Sequence, residues 1–329
     1  MSGRVTSADV ARAAGVSRAT VSYVLNDTPR QSISAGTRSR VLDAAASLGY
    51  APSAAARTLR TGRSDVVLCL LPDWPIGTEV GAMLGNLSSA LARSGLTFVV
   101  HPGSRADRPI AELWKAITPA AVLAFADFSP GEIDAMRSAG VALVVALLSR
   151  SRQQPAELEV PQELVGRLQA EHLAGAGHRL LGYAAPDDDR LRIFAGPRSA
   201  GVTAASVRLG LPAPARHTVP LDPAAARAAV AAWAAAGVTA VCAYNDEVAM
   251  AVLAGMRRAG LACPGDLAVI GVDDIPVARL AVPALTTVTT DQAAVADHLA
   301  ATVVAAINGR PEPRRTVDDL VQVVRRDSA

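Results

Sequence analysis

The sequence predicts an all-α helix-turn-helix segment at the start of the chain, followed by an α/β core of two doubly wound, mostly parallel sheets. The first prediction rests on two short apolar-faced segments around a Gly-Val-Ser turn at residues 15–17. The second rests on apolar runs of strand length, such as 66–71 and 267–272, that alternate with helical segments. Because the core spans about 265 residues, two lobes are expected rather than one doubly wound domain.

A capping box marks the start of the first helix. Thr6 and Asp9 stand three residues apart, so the hydroxyl and the carboxylate can satisfy backbone amides at the helix start. The apolar positions that follow at helical spacing are Val10, Ala11 and Ala14. This pattern predicts a helix over residues 7–14, and Gly15 stands where a left-handed residue ends it.

A second helix follows the turn. Ser17 is placed as its N-cap, and the predicted buried positions are Val21, Val24 and Leu25. The positions between them point outward, namely Arg18, Ala19, Ser22 and Tyr23. A second helix with polar outward residues after a tight turn is the arrangement that reads DNA in the major groove.

Charge is distributed unevenly along the chain. The formal net charge is +2, but residues 1–63 carry nine Arg and three Asp, whereas the remainder carries 23 basic and 27 acidic residues. The net charge is therefore +6 in the first part and −4 in the rest. Positive charge on the helix-turn-helix part favours binding to the phosphates of double-stranded DNA.

Several short motifs occur in a fixed order along the first sixty residues. They are Asp9-Val10-Ala11, Gly15-Val16-Ser17, Thr20-Val21-Ser22, Val24-Leu25-Asn26, Thr37-Arg38, Leu48-Gly49-Tyr50 and the stretch 56–62. This ordered set resembles the DNA-binding headpiece and hinge of the lactose-repressor (LacI/GalR) family of bacterial transcription regulators. The resemblance implies a repressor that binds a pseudo-palindromic operator as a homodimer.

The resemblance assigns roles to the headpiece residues. Arg18, Ala19 and Tyr23 are expected to face base edges, where an arginine can bind guanine through two hydrogen bonds. A second set is expected to hold phosphates or position the helix: Thr6, Ser17, Thr20, Ser22, Asn26, Ser34, Thr37 and Tyr50. These contacts give affinity without reading sequence.

Residues 51–63 correspond to the hinge of the family. An Ala-rich stretch with a serine N-cap follows Pro52 and is long enough for two helical turns, but too short to be stable alone. The family's hinge helix pairs with its dimer mate in the minor groove, which implies DNA contacts for Ala56, Arg57 and Leu59, with Leu59 wedged into the central base step. The alternative is that this stretch is only a linker.

The core also resembles the family, in which the two lobes are similar to periplasmic sugar-binding proteins. The matching motifs are Asn245-Asp246-x-x-Ala249, the strand that leads to Asp273, and Arg198-x-x-Gly201, which is expected at a helix start. The resemblance implies an effector site formed by Asp73, Trp74, Arg198, Asn245 and Asp273. Two structural alternatives stay open: an Arg198–Asp273 salt bridge, and a helix N-cap at Asn245 or Asp246.

The first lobe departs from the family pattern. The segment after the first core strand begins with Asp73-Trp74-Pro75 and lacks the aromatic pair with which relatives stack on a sugar ring, although Trp74 can substitute for it. A sugar is therefore one candidate effector, another metabolite is a second, and an empty cleft is a third.

The expected division of the chain follows these motifs. We expect a headpiece at 1–50, a hinge at 51–63 and a core at 64–329, with a first lobe at about 64–159 plus 288–312 and a second at about 160–287 plus 313–329. No apolar run reaches membrane-spanning length, and a cytoplasmic, nucleoid-associated bacterial protein is expected.

Other function classes find little support in the sequence. The chain has no Walker loop, no Gly-x-Ser-x-Gly elbow and no His-Glu-x-x-His motif, so neither an enzyme nor a cofactor is expected. Cys69, Cys242 and Cys263 lack metal-ligand spacing and are expected to be reduced thiols, and no metal site is predicted. The main alternative is a two-lobe solute-binding protein without a DNA function, against which the headpiece argues.

Overall fold

The computed structural model describes most of the chain in separate ranges: 5–25, 32–50, 64–102, 114–115, 117–125, 128–146, 162–311 and 320–329. The chain forms two compact units, residues 1–65 and 66–329. The expectations for Asn26 and for the hinge residues Ala56, Arg57 and Leu59 lie outside the described residues.

The described residues of the first unit form three helices: α1 (Ser7–Ala14), α2 (Arg18–Leu25) and α3 (Ala35–Ser47). The predicted capping box is present, because Asp9 accepts hydrogen bonds from both the backbone amide and the hydroxyl of Thr6. Gly15 ends α1 in the left-handed conformation, with φ +66°, which a residue without a Cβ adopts at no steric cost. Both helix boundaries of α1 are therefore as predicted.

A small apolar core holds these helices together. Val10 of α1, Val21 of α2 and Val41 of α3 are fully buried, and smaller side chains fill the space around them. Val24 is also buried, and Leu25 packs against this core while partly exposed. The predicted apolar face of α2 is therefore confirmed, which turns its other face outward.

The second unit begins with a four-stranded parallel sheet in the order β2-β1-β3-β4. Its strands are β1 (Val66–Leu71), β2 (Thr97–Pro102), β3 (Ala121–Ala124) and β4 (Leu143–Ala146). Among the described residues, the helices of this lobe include α4 (Thr78–Arg93), α5 (Pro130–Ser138) and, from the C-terminal part of the chain, α10 (Gln292–Ile307). Leu87 and Leu91 of α4 share one core with Leu299 and Val303 of α10.

A six-stranded sheet in the order β10-β9-β8-β7-β5-β6 forms the second lobe. Its strands are β5 (Leu181–Pro186), β6 (Ala215–Val219), β7 (Ala240–Ala243), β8 (Ala268–Val272), β9 (Thr286–Thr290) and β10 (Val321–Val324). All neighbours are parallel except β9 and β10, which are antiparallel. Its helices are α6 (Gln162–Gly175), α7 (Arg192–Arg208), α8 (Pro223–Ala235) and α9 (Asp246–Ala259).

Two expectations differ from this structure. The helix that carries Arg198 begins at Arg192, so Arg198 lies inside α7 rather than at its start. The sequence misleads because Pro197 is typical of a first helical turn, whereas here it lies within the helix. Strand β9 belongs to the six-stranded sheet, so residues 288–290, which the sequence assigns to the first lobe, lie in the second.

The remaining expectations concern thiols, metals and membranes. Cys69 and Cys242 are buried and Cys263 is half-buried, and all three are free thiols. Within the described ranges, no group of three or more His, Cys, Asp or Glu side chains could hold a metal ion. The helices that the structure describes include none with the length and apolar character needed to cross a bilayer.

Candidate functional site

The outward face of α2 is the first candidate site. Arg18, Ala19, Ser22 and Tyr23 are all exposed, while Val21 on the opposite face is fully buried. Because the buried stripe fixes the rotation of the helix, the first turn presents Arg18 and Ala19, and the next turn presents Tyr23. A guanidinium and a phenol on one exposed helix face can form hydrogen bonds with base edges in the major groove.

The headpiece hydroxyls have structural partners as well as predicted DNA contacts. Ser17 caps α2 by accepting from the Thr20 amide at 3.0 Å, and the two hydroxyls lie 2.9 Å apart. Ser34 repeats this arrangement at α3, where it accepts from the Thr37 amide at 3.2 Å. Tyr50 packs against the headpiece core. Hydroxyls at helix N-termini stand where backbone amides also favour an anion such as a DNA phosphate.

The second candidate site is a cleft in the core, at the carboxyl ends of its strands. Residues just beyond four strands reach it: Phe125, Tyr244 and Asp273 directly follow β3, β7 and β8, and Trp74 lies three residues after the end of β1. The space within the cleft is about 1410 Å³, counted out to its open mouth. Small-molecule sites of α/β folds lie at this edge of their sheets.

Arg198 lies at the bottom of this cleft and is almost fully buried. Its Nε donates to Gln162 Oε1 at 2.8 Å, and Nη1 donates to the Tyr244 carbonyl at 2.7 Å. Its Nη2 lies 3.6 Å from Asp273 Oδ1, and Cζ lies 4.9 Å above the Tyr244 ring. The guanidinium is therefore fixed in one position, as a preorganised binding group should be. The Arg198–Asp273 ion pair is present, which does not prevent either group from touching a ligand.

Asp273 is held in an unusual backbone conformation. Its φ is +106° and that of Asp274 is +49°, a region that residues with a Cβ rarely adopt. Asp246 stabilises the turn, because its carboxylate accepts from the Ile275 amide at 2.9 Å and from the Thr287 hydroxyl at 2.7 Å. Burial raises the pKa of Asp246 to about 7. Asp246 therefore positions the turn that carries Asp273 into the cleft.

Asn245 caps a helix and also lines the cleft. Its Oδ1 accepts from the Val248 amide at 3.0 Å and caps α9. The same side chain lines the cleft. A cap leaves the amide nitrogen as a donor for another acceptor. The N-cap alternative is therefore confirmed for Asn245, and it is compatible with ligand binding.

Trp74 joins aromatic residues of the two lobes. Its ring makes edge contacts with Phe125, at a centroid distance of 5.1 Å, and with Phe194 of α7, at 4.9 Å. Trp74 therefore supplies an aromatic surface in the cleft, as the sequence suggested, together with two rings that the sequence did not indicate. Aromatic faces stack on the apolar faces of ring-shaped ligands.

Asp73 is not where the sequence placed it. Its side chain is 86% exposed, and its Oδ1 lies 3.4 Å from Arg190 Nη1. Among the described residues that line the cleft, Asp73 is absent, whereas the adjacent Trp74 is present. The chain bends at Asp73, where the Trp74 amide donates to the Pro72 carbonyl at 2.8 Å, and this turn leaves Asp73 exposed while Trp74 lines the cleft.

Glu79 is a cleft residue that the sequence analysis missed. It lies in the first turn of α4 and accepts a hydrogen bond from the amide of Gln292. Burial, and after it the carboxylate of Asp273, raises the pKa of Glu79 to about 8. In the sequence, an acidic residue in a first helical turn is explained by the helix dipole alone, so only the fold brings Glu79 to Asp273.

A buried amide behind the cleft ties the relevant strands together. Gln169 of α6 is fully buried, and its Nε2 donates to the Ala243 carbonyl at 2.8 Å and to the Gly271 carbonyl at 3.2 Å. These carbonyls lie just before the residues that β7 and β8 contribute to the cleft. By holding β7 and β8 together behind the cleft, Gln169 fixes the spacing between Asn245 and Asp273.

Two family models match this chain. Residues 6–53 match the model described as bacterial regulatory proteins, lacI family. Residues 170–329 match the model described as a periplasmic binding protein-like domain. The first match covers the helix-turn-helix unit, and the second covers the lobe that carries Arg198, Asn245 and Asp273.

Curated and solved proteins of similar sequence or fold are transcription regulators. The HTH-type transcriptional regulator GalS of Salmonella typhimurium is 31% identical over 310 residues, which cover 86% of this chain and 84% of GalS. A lac repressor dimer bound to operator and the anti-inducer ONPF has a similar fold, with a TM-score of 0.76 at 22% identity and 99% coverage of both chains. The transcriptional regulator CelR in complex with cellobiose has a TM-score of 0.66 at 25% identity, over 99% of this chain and all of the other.

Proposed function

Because this chain belongs to the lacI family of bacterial transcription regulators, we propose that it is a repressor whose affinity for operator DNA is controlled by a small molecule in the core cleft. The observation that supports the DNA function most directly is the exposed face of α2, with Arg18 and Tyr23 one turn apart. The observation that supports control by a ligand is the preorganised Arg198 of α7 beside Asn245 and Asp273, which lie at the ends of parallel strands.

On this proposal Arg18, Ala19 and Tyr23 read base edges. The phosphate-binding set comprises Thr6, Ser17, Thr20, Ser22, Asn26, Ser34, Thr37 and Tyr50. Ala56, Arg57 and Leu59 form the hinge, with Leu59 wedged into a central base step. The proposed units are the headpiece at 1–50, the hinge at 51–63 and a two-lobe core from residue 64, with its lobe boundary after β9.

A homodimer is part of the proposal. An operator with two half-sites requires two headpieces, and the core carries exposed apolar residues that a second copy could cover. Val277, Leu280 and Val282 are exposed by 52%, 73% and 95%, within six residues of sequence. Clustered exposed apolar side chains are typical of interfaces. A two-fold symmetric dimer would bury this cluster of one subunit and the same cluster of its partner in one interface.

The proposed effector is a sugar. Cellobiose is bound in the CelR structure to which this fold is similar. The cleft offers a carboxylate, an amide and a guanidinium together with Trp74, Phe125 and Phe194, and hydroxyl-rich ring ligands need this combination of polar groups and aromatic faces. Effector binding would close the lobes and change the separation of the hinges, and operator affinity would change with it.

A solute-binding protein without a DNA function is the alternative, and the presence of the headpiece argues against it. Absence of catalysis also belongs to the proposal, since the curated relatives are regulators. A repressor acts where operator DNA is, so the proposed location is the bacterial cytoplasm, on the nucleoid.

The effector site is tested by replacing Asp273 with asparagine. In the wild type we expect one of the sugars cellobiose, glucose and galactose to change operator affinity by about tenfold or more, as is typical of coupling energies of 1–3 kcal/mol. We expect Asp273→Asn to keep sugar-free operator affinity and to lose the response, because the amide cannot replace the carboxylate as a double acceptor. Burial already raises the pKa of Asp273, so a neutral isostere suits the site.

The control is Asp134→Asn, at an exposed position of α5. This variant should respond as the wild type does. An unchanged operator affinity of the wild type with every sugar would contradict the proposed sugar effector, and a normal response of Asp273→Asn would contradict the assigned site.

A further inference from the structure

Acidic side chains outnumber basic ones in the described lining of the cleft. Three carboxyl groups line it: Glu79 from the first lobe, and Glu247 and Asp273 from the second. Arg198 is the sole cationic side chain among the described residues of the lining. A bound ligand therefore meets more acidic than basic groups, and the low dielectric of a closed cleft strengthens that difference.

The charge of Arg198 is already offset by the protein. Its Nη2 lies 3.6 Å from Asp273, and side-chain exposures of 10% and 13% leave little water to screen this pair. Its other hydrogen bonds go to Gln162 and to the Tyr244 carbonyl. A phosphate or carboxylate entering the cleft would compete with Asp273 for this guanidinium and would leave Asp273 as an unpaired buried charge.

Burial is the main cause of the raised pKa values of the acidic groups in the cleft, and neighbouring carboxylates are a secondary cause. Burial, with Asp273 as a further cause, raises the pKa of Glu79 to about 8. Burial also raises the pKa of Asp273, where Arg198 opposes the shift and Glu247 adds to it. Burial raises the pKa of Tyr244 to about 12, and the carboxylates of Asp273, Glu247 and Asp188 contribute after the opposing effect of Arg198. Each acid therefore resists ionisation next to the others.

Acidic residues also surround the Arg190 guanidinium near the cleft. Arg190 pairs with Asp188 at 2.7 Å and with Asp73 at 3.4 Å, which links the two lobes. Asp189, which follows Asp188 in the chain, pairs with Arg192. The two arginines here are thus matched by three carboxylates, so this described part of the cleft rim has no surplus positive charge.

We infer that this cleft admits neutral or positively charged ligands and excludes anionic ones, such as sugar phosphates and sugar acids. The carboxylates accept hydrogen bonds from hydroxyl or ammonium groups, and the rings of Trp74, Phe125 and Tyr244 suit a sugar face or a cation equally well. This selectivity rests on the proposed function of the cleft as an effector site, and it narrows the effector to an uncharged sugar or an amino sugar.

Trp74 allows the charge of the cleft to be measured without a known effector. It is the half-buried one of the three tryptophans, whereas Trp114 is 2% and Trp233 0% exposed. The fluorescence of Trp74 is quenched with a cation (caesium), an anion (iodide) and a neutral molecule (acrylamide). Each quenching constant is divided by the constant of the same quencher for free N-acetyltryptophanamide. The Trp74→Phe variant of the full chain gives the signal of the two buried tryptophans, which is subtracted.

We expect normalised caesium quenching of Trp74 to exceed iodide quenching severalfold, with acrylamide confirming that the ring is accessible. The double variant Glu79→Gln/Glu247→Gln should narrow this difference, most clearly above the Glu79 pKa of about 8, because both replacements remove an acid and keep the shape of the side chain. Iodide quenching equal to or greater than caesium quenching in the folded wild type would overturn the inference, whatever the variant does.

A ligand series separates this inference from the proposed function. Thermal unfolding of the full-length protein is followed with glucose, glucosamine, glucuronate and glucose 6-phosphate, and with the matching galactose compounds, at constant ionic strength. Stabilisation by a neutral or amino sugar alone supports the charge selectivity. Stabilisation by an acid or a phosphate above its neutral parent overturns it. A flat series together with preferential caesium quenching contradicts the sugar effector and leaves the exclusion of anions supported.

Discussion

Replacing Arg18 with alanine is expected to reduce affinity for a selected operator by about tenfold to a hundredfold, since one two-hydrogen-bond contact to a base is worth about 1–3 kcal/mol. Arg18 is exposed on the outward face of α2, so its removal leaves the buried side of the helix unchanged. Affinity for a scrambled duplex should fall much less. Nonspecific binding depends on the total positive charge of the headpiece, of which Arg18 is a small part. Fluorescence anisotropy with both duplexes at one salt concentration measures the two affinities.

Arg12→Ala is the matched control. Arg12 is an exposed arginine of the same headpiece, located on α1 and paired with Asp9 at 3.2 Å. This variant loses the same charge from a helix that does not read bases, so specific and nonspecific affinity should fall by similar factors. Equal losses on both duplexes for Arg18→Ala would show that Arg18 acts only through its charge, and would refute its role in base readout.

Replacing Gly166 with alanine is expected to lower the free energy of unfolding of the core by about 3 kcal/mol, the upper range for overpacking of a buried site. A Cβ at Gly166 of α6 would lie 1.9 Å from the Arg198 carbonyl oxygen of α7. The contact is reciprocal, because a Cβ at Gly201 would lie 2.1 Å from the Glu163 carbonyl oxygen. Backbone atoms cannot move aside as side chains do, so the two helices must separate.

That separation would also displace Arg198 from Asp273 and from the Tyr244 carbonyl. We therefore expect Gly166→Ala to lose the effector response at temperatures at which the protein is still folded. Chemical denaturation gives the stability, and operator binding with and without sugar gives the response.

Gly85→Ala provides the comparison for this effect. Gly85 is an exposed glycine within α4, and a Cβ there would meet no atom within 4 Å. Alanine at this site should raise stability by about 0.5–1 kcal/mol, since it reduces the backbone entropy of the unfolded chain. If Gly166→Ala were as stable as Gly85→Ala, the close crossing of α6 and α7 would be wrong.

The headpiece could be predicted from sequence because its signals are local. The Thr6–Asp9 capping box and Gly15 fix both ends of α1 within ten residues of sequence, and Ser17 fixes the start of α2. A short helix has few ways to bury its apolar residues, so its exposed face follows directly from the period of those residues. The exposure of Arg18 and Tyr23 was therefore predictable before any tertiary contact was known.

The cleft was less predictable because it depends on contacts between distant segments. Arg198 and Asp273 were identified through family motifs, but the length of α7 and the shielding of Arg198 by Gln162 were not. Glu79 and Gln292 are 213 residues apart in the chain, and no local sequence pattern predicts the hydrogen bond between them. Asp73 was misplaced for a related reason: the sequence shows which segment reaches the cleft, and the backbone direction decides which side chain faces it.

The most direct test of the account is selection of bound duplexes from a random DNA library by the full-length protein at near-physiological salt. Nonspecific phosphate binding weakens under these conditions, whereas base readout persists. We expect enrichment of a palindrome with two half-sites and a flexible central base step. Folded protein that enriches no sequence, with and without the neutral and amino sugars, would contradict the conclusion that this chain is an operator-binding repressor.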